Sequence, residues 1–132
     1  MTQSQALEQR AKRLLSDHQR RAKKAGQVLD YDLDHIRQLI DGSPCCRWCR
    51  LPVAFDQLSL DHVHPLARGG SYCFFNLCLA CRRCNTLRGR LTEAETLELL
   101  EFLAGLHPAA REDIERRLLA GGRGYAGGRS AR

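Results

Sequence analysis

The sequence predicts an α+β domain: a β-hairpin and a short helix stapled by a pair of metal-binding cysteine knuckles, with helices before and after it. Three observations lead there. Two Cys-x-x-Cys pairs, Cys46/Cys49 and Cys81/Cys84, stand in a C-x2-C-x31-C-x2-C arrangement. Two strand-like apolar runs lie between the pairs, and the segments on either side carry apolar residues at helical spacing. The chain has 132 residues and is 43% hydrophobic, which suits one domain with a modest core that needs a staple.

The first segment, residues 5–24, places Leu7, Ala11, Leu14 and Leu15 on one helical stripe and Arg10, Lys12, Arg13, Arg20, Arg21, Lys23 and Lys24 around it. It reads equally as a solvated helix and as an arm along a nucleic-acid backbone, and Ala25-Gly26 ends it. Asp32 is placed to cap a second helix carrying Leu33, Ile36, Leu39 and Ile40, which stops at Asp41-Gly42. His18 and His35, on these helices, read as surface histidines rather than ligands.

The knuckle Cys46-Arg47-Trp48-Cys49 pairs with Cys81 and Cys84, since two thiolates three apart on a tight turn both reach one tetrahedral zinc at about 2.3 Å. Cys45 is an alternative to Cys46 at wider spacing. Cys78 stands three before Cys81 but inside an apolar run, where a buried thiol is ordinary, and Cys73 reads as a loop thiol. Seven cysteines is an odd number, and MTQSQALEQR carries no secretory apolar core, so the expectation is a reducing cytoplasm and a bound metal rather than a disulfide framework. No apolar run approaches membrane-spanning length.

Between the knuckles, Leu58 to Val63 alternates as a strand, Pro65 and Arg68-Gly69-Gly70 break it, and Phe74 to Leu79 returns as a second strand. A helix of at most two turns comes after the second knuckle and ends at Gly89. His62 is a candidate general base, because imidazole titrates near neutral pH. Asp61 and the Asn85 amide are hard oxygen ligands suited to Mg²⁺ or Mn²⁺. Arg82, Arg83, Arg88 and Arg90, with Arg68 in the loop, are candidate phosphate contacts. A regular strand sends Asp61 and His62 to opposite faces, so joint service at one site requires a twist or bulge. His64 is left as structural or DNA-proximal.

Asp61-His62, Pro65-Leu66-x-Arg68-Gly69-Gly70, Asn76-Leu77 and Cys81-x-x-Cys84-Asn85-x-x-Arg88-Gly89 resemble the HNH endonucleases, in their H-N-N variant, across about residues 20–90. The resemblance is to small free-standing phage and bacterial members. It implies a ββα-metal core of treble-clef type with His62 as base and Asp61 and Asn85 as cation ligands. Asn76 would brace the loop and orient His62. It also implies DNA as substrate and products with 5′-phosphate and 3′-hydroxyl ends. Two rivals are a non-catalytic zinc-stabilised nucleic-acid-binding module and a nuclease active only within a larger assembly such as phage DNA packaging.

Charge divides the chain. Residues 1–90 hold fifteen Lys/Arg against eight Asp/Glu, whereas residues 91–120 hold three against seven. The basic part, with its core at about residues 43–90, is suited to DNA. The acidic extension reads as a helix capped at Thr92 and a second from Pro108 to Gly121, either a hairpin that covers the core or a face turned away from DNA toward a protein partner or a second copy. Residues 121–132 read as a disordered Gly/Arg tail.

Overall fold

The computed structural model describes residues 2–131, with side chains through Gly121. Five helices and one hairpin make the fold: α1 (Gln3–Lys24), α2 (Leu33–Leu39), β1 (Leu58–His62), β2 (Leu77–Cys81), α3 (Arg82–Arg88), α4 (Glu93–Ala104) and α5 (Pro108–Ala131). Short 3-10 turns precede each strand, Phe55–Gln57 before β1 and Phe74–Asn76 before β2. The second of these covers the start of the strand expected from Phe74.

Local chemistry accounts for the helix bounds. Thr2 and Gln5 form a capping box at the start of α1, Asp32 and His35 one at α2, and Thr92 and Glu95 one at α4. Gly26 and Gly42 come just after α1 and α2 at φ 71° and 70°, a conformation that glycine takes without a Cβ penalty. Gly121, expected to close α5, lies inside it and takes no positive φ, so nothing there halts the helix; a helical glycine costs only about 1 kcal/mol. The tail expectation falls on a segment whose side chains, residues 122–132, lie outside the described residues.

β1 and β2 pair antiparallel in regular register, from Leu58 opposite Cys81 to His62 opposite Leu77. Alternate β1 residues therefore turn Leu58 and Leu60 into the core and Ser59 and Asp61 toward α3. α1 runs along β1, and its buried stripe of Ala11, Leu14, His18 and Ala22 faces inward. Two outward carbonyls of β1 are met by side chains. Arg10 donates to Leu58 O at 2.7 Å and Arg88 to His62 O at 2.6 Å. A two-stranded sheet has no third strand to satisfy that edge, so these side chains do so.

The acidic extension folds back on the core. Arg47 pairs with Glu93, Arg68 with Glu95 and Arg83 with Glu115, and α5 packs on α3. Three of its seven carboxylates thus pair with arginines of the preceding segment, an arrangement that suits the covering hairpin. Leu97 and Phe102 stay exposed on it. Among the described residues no helix is long and apolar enough to cross a membrane.

One backbone feature is testable directly. Arg50, which closes the first knuckle and donates its N–H to Cys46 O at 2.9 Å, sits at φ 67°. A non-glycine residue there costs about 1 kcal/mol. Arg50→Gly should accordingly raise the urea midpoint by an amount equivalent to about 0.5–1 kcal/mol. A midpoint that falls would show that the position carries no strain.

Candidate functional site

The knuckles converge. The Sγ atoms of Cys46, Cys49, Cys81 and Cys84 all lie within 4.8 Å of one another, and tetrahedral zinc needs S···S separations of about 3.8 Å. Trp48 and Cys84 direct backbone N–H groups at the sulfurs of Cys46 and Cys81, at 3.3 and 3.4 Å. The Cys84 thiol beside Cys46, with several N–H donors, lowers Cys46 to about 4. The same contact pushes Cys84 up, and burial pushes Cys49 up. Four thiolates cannot coexist so closely without a cation, so the donor set fits zinc. Cys45 instead turns out toward Ser43 O, and Cys78 is buried in β2 with its thiol raised to about 12 by desolvation.

The four-cysteine corner anchors α3, which starts at the second knuckle and lies over the Ser59/Asp61 face of β1. Asn85 donates from Nδ2 to Ser59 Oγ at 3.2 Å. One turn later Arg88, only 1% exposed, reaches the end of β1. Its NH1 donates to Asp61 Oδ2 at 3.1 Å and to His62 O, and its NH2 to Val63 O at 3.0 Å and Leu91 O at 2.6 Å. Its guanidinium also lies 4.3 Å from the centre of the buried Trp48 ring. Arg88 was expected at phosphate. It is instead an interior clamp, because the short α3 turns that residue into the protein.

Asp61 is committed in the same way. Oδ2 accepts from Trp48 Nε1 at 2.9 Å as well as from Arg88, and Oδ1 accepts from His62 N at 2.8 Å. The catalytic cation expected at Asp61 and Asn85 would have to sit where a guanidinium already neutralises the carboxylate. In this arrangement the residues do not fit a divalent cation. Among the described residues, the four cysteines are the one cluster of three or more His, Cys, Asp or Glu side chains suited to a metal.

His62 points the other way, toward α1, and the regular register carries no bulge that would bring it round to Asp61. Its ring stacks on His18, centroids 5.3 Å apart and planes 24° apart, with the edge of Tyr72 at 5.6 Å. His62 Nε2 is sealed from solvent and unpartnered among the described residues. Burial lowers its pKa, opposed by Asp61 and reinforced by Arg21 and Arg88. The ring is therefore neutral at neutral pH.

Asn76, 6% exposed, ties the loop after β1 to the start of β2. Its Oδ1 accepts from His64 N at 2.9 Å, and its Nδ2 donates to His64 O at 3.0 Å and Ser71 O at 2.9 Å. A Cβ on Gly70 would fall 2.0 Å from His64 O, so only glycine lets the loop pass this close. His64 is exposed and bonds Arg68 O through Nε2. Of the other arginines, Arg68 and Arg83 are taken up by Glu95 and Glu115, while Arg82 and Arg90 are exposed and form no ion pair among the described residues.

Residues 46–98 match the family model described as HNH endonuclease. That segment belongs to the HNH endonuclease family. No curated protein and no solved structure matched the chain. The HNH segment contains the four clustered cysteines, the hairpin, His62, Asn76 and α3. The helix that carries His18 lies before it.

The sequence reads His18 as a surface residue, and the structure overturns that. It is 3% exposed and bonds Tyr31 Oη through Nδ1 at 2.9 Å. The signal was available in the spacing, since His18 continues the stripe Leu7, Ala11, Leu14, Ala22. Burial, then His62 and Arg21, lower its pKa to about 4 from 6.5. The unfolded chain therefore takes up this proton first. The associated stability is full above pH 6.5 and lost as pH falls through 4, by about 3 kcal/mol at most. The urea midpoint of the wild type should fall more steeply than that of His18→Phe between pH 7 and 4.5; parallel curves would refute this.

Proposed function

We propose that this HNH chain hydrolyses DNA phosphodiester bonds with His62 as general base, leaving 5′-phosphate and 3′-hydroxyl ends. The observation that carries the reading is the state of His62 within an HNH endonuclease segment. It stands at the end of a strand held by Arg88 and Asn76, neutral, with Nε2 sealed among aromatic rings. Sealing one nitrogen leaves Nδ1 to accept a proton from an attacking water. Asn76 contributes by holding the loop through His64 and Ser71. Arg21, an exposed cation close enough to lower the pKa of His62, is suited to hold a phosphate beside the ring, and Arg82 and Arg90 extend the basic surface.

One observation favours a second reading, a zinc-stabilised nucleic-acid-binding module without catalysis. Asp61 is closed off by Arg88, so a divalent cation at Asp61 and Asn85 has to displace a buried guanidinium.

Cleavage of supercoiled plasmid by the zinc-loaded chain, with and without Mg²⁺ or Mn²⁺ and beside His62→Ala, separates the two. Nicking or linearisation is expected from the wild type. The alanine variant, still zinc-loaded and folded, should lose at least about 100-fold in rate. Cation-dependent cleavage would mean that Arg88 yields Asp61 to the metal. Salt-sensitive DNA binding with no cleavage under any of these conditions would overturn the free-standing nuclease in favour of the binding module or of a nuclease that requires its assembly.

A further inference from the structure

We infer that His18 on α1, outside the HNH segment, is a positioning residue that sets the ring plane of His62. This deepens the nuclease reading and rests on it. Arg88 and Asn76 restrain backbone atoms of residues 62–64, and neither bonds the His62 ring. A histidine χ2 torsion is soft, so a fixed backbone alone leaves the ring free to swing. The flat contact with His18 supplies the missing restraint, with the Tyr72 edge on the ring as a second wall.

His18 is built to be the rigid partner. It sits within a 22-residue helix, is 3% exposed, and its Nδ1 engages Tyr31 Oη at 2.9 Å. One ring nitrogen is thus tied and the ring is enclosed on the inner face of the helix, which fixes its plane. A leucine at this position would fill the core more cheaply, because a buried imidazole carries two polar atoms that need partners. Tyr31, itself 5% exposed, packs on Phe74 at 6.2 Å, at the start of the turn that delivers Asn76. One chain of contacts therefore runs from the loop after α1, through Tyr31 and His18, to His62.

The test uses the full zinc-loaded chain and four proteins: wild type, His18→Ala, His18→Leu and His18→Phe. Zinc content and the emission of Trp48 establish folding in each. Misplacing a reacting group by about 1 Å costs on the order of 100-fold. Alanine and leucine should accordingly lower kcat for plasmid cleavage by about 10- to 100-fold, with KM within about twofold of wild type. Phenylalanine restores a flat ring and should bring kcat back to within about fivefold. Wild-type kcat in folded His18→Ala and His18→Leu would overturn the inference, as would a folded His18→Phe that falls as far as leucine.

A readout independent of cleavage keeps this separate from the nuclease reading. In the wild type the His62 ring protons should be shifted upfield by the stacked His18 ring, and the shift should vanish in His18→Ala and His18→Leu but persist in His18→Phe. Shifts unchanged by alanine would overturn the positioning role even in an active enzyme. Shifts that behave as expected in a protein that cuts nothing would leave the positioning role standing while the nuclease reading fails.

Discussion

Stripping zinc from the four cysteines, or replacing Cys84 by serine, is expected to unfold the protein rather than loosen it. The core is small: the buried apolar set centres on Leu58, Leu60, Leu77, Leu79, Ile36 and Trp48, and two of its buried members, Cys46 and Cys84, belong to the four-cysteine cluster suited to a metal. A small domain has about 5–15 kcal/mol of net stability. Structural zinc contributes apparent energies of about 10–16 kcal/mol in small domains. Loss of the metal therefore removes as much as the whole fold holds. The first knuckle bonds β2 through Arg47 N to Leu79 O at 2.9 Å, and the second begins α3, so both halves of the hairpin should loosen when the metal is removed.

The single tryptophan, Trp48, lies inside the first knuckle at 4% exposure and reports the event. A strong chelator should shift its emission to the red and abolish the cooperative thermal transition, and zinc should restore both. Elemental analysis should find one zinc per chain. A transition at the same temperature with and without chelator would rule out the zinc staple.

The second large effect is expected at Arg88. Arg88→Met keeps most of the side-chain volume but leaves the Asp61 carboxylate, 13% exposed, without its counter-ion, and strands the carbonyls of His62, Val63 and Leu91. Removing one partner of a buried ion pair costs about 3–5 kcal/mol, because the remaining charge has been taken out of water. Arg88→Lys keeps the charge but not the planar fork that serves four oxygens on two edges, so a smaller loss is expected. Pairing Arg88→Met with Asp61→Asn should recover part of the loss, since the uncompensated charge is then gone. Urea denaturation followed by Trp48 emission measures all three. A surface arginine meant for phosphate would change the midpoint by less than about 0.5 kcal/mol, and that result would refute the clamp.

Much of this was legible in the chain. C-x2-C-x31-C-x2-C specifies a four-thiolate corner because thiolates three apart on a tight turn share one tetrahedron. Thr92 and Glu95, or Asp32 before an apolar stripe, specify helix starts because a side chain must satisfy the first N–H groups. Gly70 is legible as part of a loop, whereas Asn76 reads as part of the second strand and its bracing role comes from the family resemblance; that both close on His64 depends on contacts across the loop. The helical period also carried His18, but a period states only that a face is buried and not which residue it meets.

Local choices, namely the helix starts, the hairpin and the two cysteine knuckles, follow from the chain alone, since each depends on residues a few positions apart. Only the tertiary structure decided which side of β1 each chemical group serves. Arg88 turns inward to Asp61 because α3 lies over the Ser59/Asp61 face. His62 meets His18 because α1 runs along the strand on its other side. Those partners are 27 and 44 residues apart in the chain, and alternation along a strand assigns a residue to a face without saying what the fold will place against it.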